Sequence, residues 1–128
     1  MTLVLDSGGV TGLAGQRARL RELQRRGLWP AEVPAVVLTE ALTGDHRRDF
    51  QLNRLLRACQ VRPVPELQAR EAAVLRTRTE RAGEISAVDA VVAASASTRP
   101  GSVVLTSDPG DLRALAEHAV HRFTVVPV

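Results

Sequence analysis

Hydrophobic positions along the chain fall into two alternating kinds of run. Short β-branched stretches, "TLVLD" (Thr2–Asp6), "SVVLTS" (102–107) and "RFTVVPV" (122–128), read as strands. Two further short strands are predicted in "LWPAEVP" (28–34) and "QVRPVP" (60–65). Between them apolar residues recur at helical spacing. Leu20 and Leu23 share one face of "AGQRARLRELQRRG", which stops at Gly27. Pro34 opens a helix through "AVVLTEALTG" to Gly44. "RRDFQLNRLLRAC" brings Phe50, Leu52, Leu55, Leu56 and Cys59 to one face. More helices are predicted from about Glu66 to Arg81, from Ser86 through "AVDAVVAASAST", and from Pro109 to about Ala119.

Strands alternating with helices predict a single α/β domain over residues 1–128, with a mostly parallel central sheet flanked by helices. No repeat, low-complexity tract or linker divides it. A chain of 128 residues buries roughly two thirds of its unfolded surface, enough for a real core. Ligands of parallel sheets sit beyond the carboxyl ends of the strands, at a topological switch point. The first strand ends in Asp6, and "VVLTSD" delivers Asp108 just past the end of a later one. Two buried strands thus bring a carboxylate to the same rim.

Composition narrows the chemistry. All 17 basic side chains are arginine. The lack of lysine excludes a P-loop lysine, a Schiff base and a receiver-type acidic pocket with its lysine. Cys59, the lone cysteine, has no partner for a disulfide or a metal cluster. "MTLVLDSGG" has no basic n-region, and no window approaches the roughly 20 apolar residues of a membrane span. The expected setting is cytoplasmic, with no membrane partner. "DSGGV" lacks the D-x-D of a haloacid-dehalogenase-like phosphotransferase. His118-x-x-His121 lacks a third ligand, and His46 stands alone. Aromatic residues make up 2% of the chain, too few for base-stacking platforms, so Trp29 and Phe123 read as core or dimer-interface residues. The arginine-rich segment 16–26 is either a phosphate-binding strip or a solvated helix face.

The acids admit two readings. Asp108 before Pro109, with Asp111 three residues on, is a good helix start, and Ser86-x-x-Asp89 fits a capping box apart from its shorter acid. On that reading the chain is a non-catalytic α/β interaction module whose acids are helix caps. Yet Glu40 and Asp89 are single charges in otherwise apolar helices, with Glu40 projecting from a largely buried segment. Asp6, Glu40, Asp89, Asp108 and Asp111 lie on separate elements that can converge on one rim. Carboxylates so gathered repel one another unless a cation balances them, and hard Mg²⁺ or Mn²⁺ suits such a site. With those five set aside, nine acids face 17 arginines, a balance of +8 over the rest of the chain. An acidic pocket on an arginine-rich surface is the electrostatic outline of a phosphodiester-cleaving enzyme.

"LVLDSGG", "VLTEAL", "DAVVAASA" and "VVLTSDPGDLRAL" resemble, in order and over the whole chain, the four acidic motifs of a PIN domain. The short length is similar to that of VapC-type toxins of bacterial toxin–antitoxin pairs. The resemblance implies a Mg²⁺- or Mn²⁺-dependent endoribonuclease, a homodimer, acting on RNA and held inactive by a cognate antitoxin. It matches Asp6, Glu40, Asp89 and Asp108 to the metal-site acids and Asp111 to a supporting acid. Asp6 and Asp89 are then expected as direct ligands, with Glu40 and Asp108 ligating the metal or orienting water. "SGG" after Asp6 departs from the pattern and is expected to leave that loop loosely held. Thr106 and Ser107 are read as strand-end residues rather than supports for the acids.

Overall fold

Strand β1 (Leu3–Leu5) is buried at all three positions, so both faces of the sheet must be covered there. The computed structural model describes residues 1–128. It pairs β1 with β2 (Glu32–Pro34) on one side and β4 (Val103–Thr106) on the other, while β3 (Gln60–Arg62) and β5 (Thr124–Pro127) form the edges. Every pairing is parallel and the order is β3-β2-β1-β4-β5. The chain winds outward from β1 to β3, then crosses back to the other side of β1. The switch point therefore lies between β1 and β4, where Leu5 is in register with Leu105.

Seven helices surround the sheet: α1 (Ser7–Ala14), α2 (Arg17–Arg25), α3 (Leu38–Ala41), α4 (Phe50–Arg57), α5 (Glu66–Arg78), α6 (Ala87–Ala96) and α7 (Pro109–Ala116). Helix α6 packs on β1, β2, β4 and α5 through Ala90, Val92, Ala93, Ala94 and Ala96, small residues that permit close approach. Helix α1 packs on β4, α3 and α4. Phe123 lies in the core and Trp29 is half-buried against it. Burial pushes the Cys59 thiol up to about 11, which keeps it protonated and inert. No helix is long and apolar enough to cross a membrane.

The α/β class and parallel sheet are as predicted, but several helices are not. The helix expected over 14–27 is α2, shortened to Arg17–Arg25, and a helix that was not expected, α1, precedes it from Ser7. "SGG" is therefore the first turn of α1 rather than a loose loop. A Cβ at Gly9 would overlap the carbonyl oxygen of Leu105, and one at Gly8 the side chain of Ser107. The glycines let α1 lie against the end of β4. The expected helix over 34–44 leaves Pro34 in β2, makes a 3₁₀ turn at Ala35–Val37 and one α-turn at α3, and ends where Leu42 turns extended (φ −100°, ψ 154°).

Helix α4 starts at Phe50 rather than at Arg47, because the Asp49 carboxylate is drawn backwards. It accepts hydrogen bonds from the backbone N–H of Thr43 at 3.0 Å and of Gly44 at 2.8 Å, and from the Thr43 hydroxyl at 2.8 Å. Phe50, expected on the buried face, is 54% exposed, while Leu55 and Leu56 are buried. Helix α5 ends at Arg78, not Arg81, and Glu80 follows in the left-handed region at φ +59°. Helix α7 ends at Ala116 rather than Ala119.

Candidate metal site

The β1–β4 pairing carries Asp6 and Thr106 to adjacent strand ends, and a short hydrogen-bond chain ties them together. Asp6 is 4% exposed and caps α1, its Oδ1 accepting from the Gly9 backbone N–H at 2.7 Å. Its Oδ2 accepts from the Thr106 hydroxyl, whose oxygen in turn accepts from the Asp108 backbone N–H at 2.9 Å. Thr106 thus supports the acids directly, contrary to its reading as a mere strand-end residue. Ser107 is exposed at the cleft wall.

Asp108 occupies the N-cap position of α7 ahead of Pro109, yet its carboxylate accepts no hydrogen bond from the helix. The cap reading therefore leaves its charge unused. Ser86 does cap α6, accepting from the Asp89 N–H at 3.0 Å, which sets the Asp89 side chain at the start of that helix. Asp111 follows in the first turn of α7. One carboxylate oxygen from each of Asp89, Asp108 and Asp111 lies within 4.8 Å of the others. Asp6 and Glu40 fall outside that tight group but line the same cleft, of about 480 Å³. Glu40 is exposed on α3, not projected from a buried segment. No hydrophobic side chain lines the cleft.

Two residues at this rim carry no motif in the sequence. Glu84, in the turn before α6, adds a sixth carboxylate to the lining. Arg81 donates from Nε to Glu84 at 3.0 Å and from Nη2 to Asp111 at 3.1 Å. These pairs join residues whose proximity is set only by the packing of α5, α6 and α7.

Burial pushes the Asp6 carboxyl above its ordinary range, the hydrogen bonds from Thr106 and Gly9 oppose the shift, and the charges of Asp108 and Glu40 add to it. Asp89 is pushed up to about 6, chiefly by burial and then by the charge of Asp6. A cation in the cleft would reverse both tendencies. The donors are carboxylates and hydroxyls without histidine or cysteine, a hard set that fits Mg²⁺ or Mn²⁺ and not a soft or borderline metal.

No family model matches the chain, and no curated protein sequence matches it significantly. Solved structures do match, over nearly the whole length. A DNA-bound VapBC complex from Salmonella typhimurium aligns with a TM-score of 0.72 at 15% identity, covering 99% of this chain and 98% of the other. VapBC from Rickettsia felis, bound to a DNA fragment from its promoter, gives 0.68 at 12% identity over 100% and 99%. FitAcB from Neisseria gonorrhoeae gives 0.62 at 22% identity over 97% and 96%. Likeness at these identities is a likeness of fold. The five-stranded parallel sheet, with its acidic cleft between the central strands, is a PIN-like fold.

Proposed function

We propose that this chain is a metal-dependent endoribonuclease, the toxin of a type II toxin–antitoxin pair, acting in the cytoplasm on RNA phosphodiester bonds. The observation that carries this reading is the convergence of Asp89, Asp108 and Asp111 at the switch point, with Asp6 and Glu40 in the same cleft. Asp89, Asp108 and Asp111 offer oxygens close enough to share one Mg²⁺ or Mn²⁺ ion. Glu40 faces the same space, and Asp6 sits beneath as the acid that fixes the strand ends. A bound ion would supply Lewis acidity to the phosphate and lower the pKa of an attacking water. The arginine-rich remainder of the surface favours a polyanion, and with so few aromatics the contacts to RNA rest on phosphates and guanidinium planes.

The VapBC and FitAcB neighbours support a cognate antitoxin as partner, and a homodimer is part of the same proposal. The negative cleft favours an inhibitor that places a cationic side chain among the acids. The competing module reading has two observations behind it, since Asp6 and Ser86 do cap helices. It leaves the free Asp108 carboxylate without a purpose. Incubating the purified chain with structured RNA, unstructured RNA and duplex DNA, in Mn²⁺ or Mg²⁺ and then in EDTA, tests the proposal. RNA should be cut and duplex DNA spared, with the chelator abolishing cleavage. Cleavage undiminished by chelator would overturn the metal mechanism.

A further inference from the structure

Arg81 is the one basic side chain that bonds to any carboxylate of the cleft. Its backbone is fixed on both sides. The Arg81 N–H donates to the Thr79 hydroxyl at 3.1 Å, and its carbonyl accepts from Glu84 at 2.9 Å and Ile85 at 3.0 Å. The guanidinium bridges Glu84 and Asp111 while its side chain stays 43% exposed, against 19% for Asp111. A guanidinium carries five N–H donors; two are engaged here, and the Nη1 edge bonds to nothing in the protein.

Stability does not account for this arrangement, because half-exposed ion pairs contribute little to folding. Nor does metal binding, since a fixed cation beside the carboxylates opposes a second cation. An anion accounts for it. RNA brought to a cleft lined by six carboxylates is repelled, and a forked guanidinium with a free edge is the group that binds phosphate. The geometry points to Arg81 as the counter-charge built into the site and its substrate-positioning residue: fixed by Asp111 and Glu84, it holds an RNA phosphate at the mouth of the cleft and lowers the affinity of the acids for the divalent ion. This rests on the nuclease reading above.

The two effects have opposite signs, which makes them testable against a structural role. The wild type, Arg81→Gln and Arg81→Lys are compared by Mn²⁺ titration without RNA, by RNA binding in Ca²⁺, by cleavage kinetics and by thermal melting. Arg81→Gln should bind Mn²⁺ several-fold to about tenfold more tightly, because an opposing charge is gone. Its KM and its RNA dissociation constant should rise about ten- to a hundredfold, with kcat within about threefold. Arg81→Lys should return Mn²⁺ affinity toward wild type and recover RNA binding only in part, lacking the fork. Melting should be nearly unchanged. Equal or weaker Mn²⁺ binding by Arg81→Gln, or an unchanged KM, overturns the proposal. So does a lowered melting temperature with both affinities lost, which would mark Arg81 as structural. If the wild type cuts no RNA, the nuclease reading fails, and the Mn²⁺ and RNA-binding arms still decide the role of Arg81.

Discussion

The Thr106 hydroxyl, at the end of β4, donates its hydrogen bond to Oδ2 of Asp6, at the end of β1. Both groups are buried, so the bond has no water to replace it. Thr106→Val keeps the shape and strands that carboxylate oxygen. The variant should lose about 1–3 kcal/mol of stability, and the Asp6 carboxyl should rise further, since Thr106 is the strongest group opposing its shift. Urea unfolding and Mn²⁺ titration are the measurements. Thr106→Ser, which restores the hydroxyl, should recover most of both; a Thr106→Val variant as stable as wild type would remove Thr106 from the site.

Glycine at position 9 is required by contact rather than by its turn. A Cβ there meets the Leu105 backbone, which cannot rotate away, so Gly9→Ala must push α1 off β4. Helix propensity favours alanine by about 1 kcal/mol; the overlap should outweigh it, with a net loss of about 1–3 kcal/mol. The cap on Asp6 uses the Gly9 N–H, so cleavage should fall as well. Gly15→Ala is the control, because a Cβ there has nothing nearer than the Gly12 carbonyl oxygen at 4.0 Å. It should be neutral or mildly stabilising by thermal melting.

That contact also explains what sequence could and could not tell. β1 and β4 were legible because burial on both faces selects unbroken apolar runs, and each delivers an acid at its end. Asp89 was legible as a lone charge in an alanine-rich helix. Helix α1 was not, since Gly8, Gly9 and Gly12 read as a breaker when judged by local propensity, and only the close approach of the end of β4 to Gly8 and Gly9, and of Val128 to Gly12, explains them. The role of Thr106 depends on a partner 100 residues away, and that of Arg81 on one 30 away. Neither spacing leaves a mark on either segment. The boundary before α4 was lost for a different reason: Asp49 was free to cap forward, and Thr43 and Gly44 captured it instead.

Stability of the metal-free protein should fall as pH rises through the weakly acidic range. Asp89 titrates near 6 in the folded state and Asp6 is also raised, against about 4 for unfolded aspartate. The native state then keeps protons that the unfolded chain has released, so the stability slope against pH is negative between about 4 and 6. Asp49 is shifted the other way, and its stabilising effect is lost only as pH drops below about 4, outside this window. Divalent ions compete with the same protons. The melting-temperature gain on adding Mg²⁺ should accordingly be small at pH 4.5 and larger at pH 7.5. Melts across that range in EDTA and in Mg²⁺ check both slopes; a metal-induced gain independent of pH would detach Asp6 and Asp89 from the ion.

Asp108→Asn separates the two readings of the acids most cleanly. Asparagine fills an N-cap position about as well as aspartate, and here the Asp108 carboxylate bonds to no helix N–H at all. Folding therefore has little to lose, while one charge leaves a crowded cleft. The metal-free variant should melt at or slightly above the wild-type temperature. Its Mn²⁺ affinity should drop at least about tenfold and RNA cleavage about a hundredfold, as expected when a ligand or its immediate support is removed. Asp89→Asn should cost more activity, and it should also flatten the pH slope of the metal-free protein, since Asp89 is pushed up to about 6. Ser86→Ala supplies the converse. It removes a real cap, the hydroxyl that accepts from the Asp89 N–H, at about 0.5–2 kcal/mol, and leaves every carboxylate in place. Its melting temperature should fall while Mn²⁺ affinity stays within a few-fold. If instead both asparagine variants cut RNA normally and Ser86→Ala behaves no differently from them, the acids are helix furniture and the cleft holds no metal. The free carboxylate of Asp108, set against those of Asp89 and Asp111 with no cation but Arg81 nearby, argues for the first outcome.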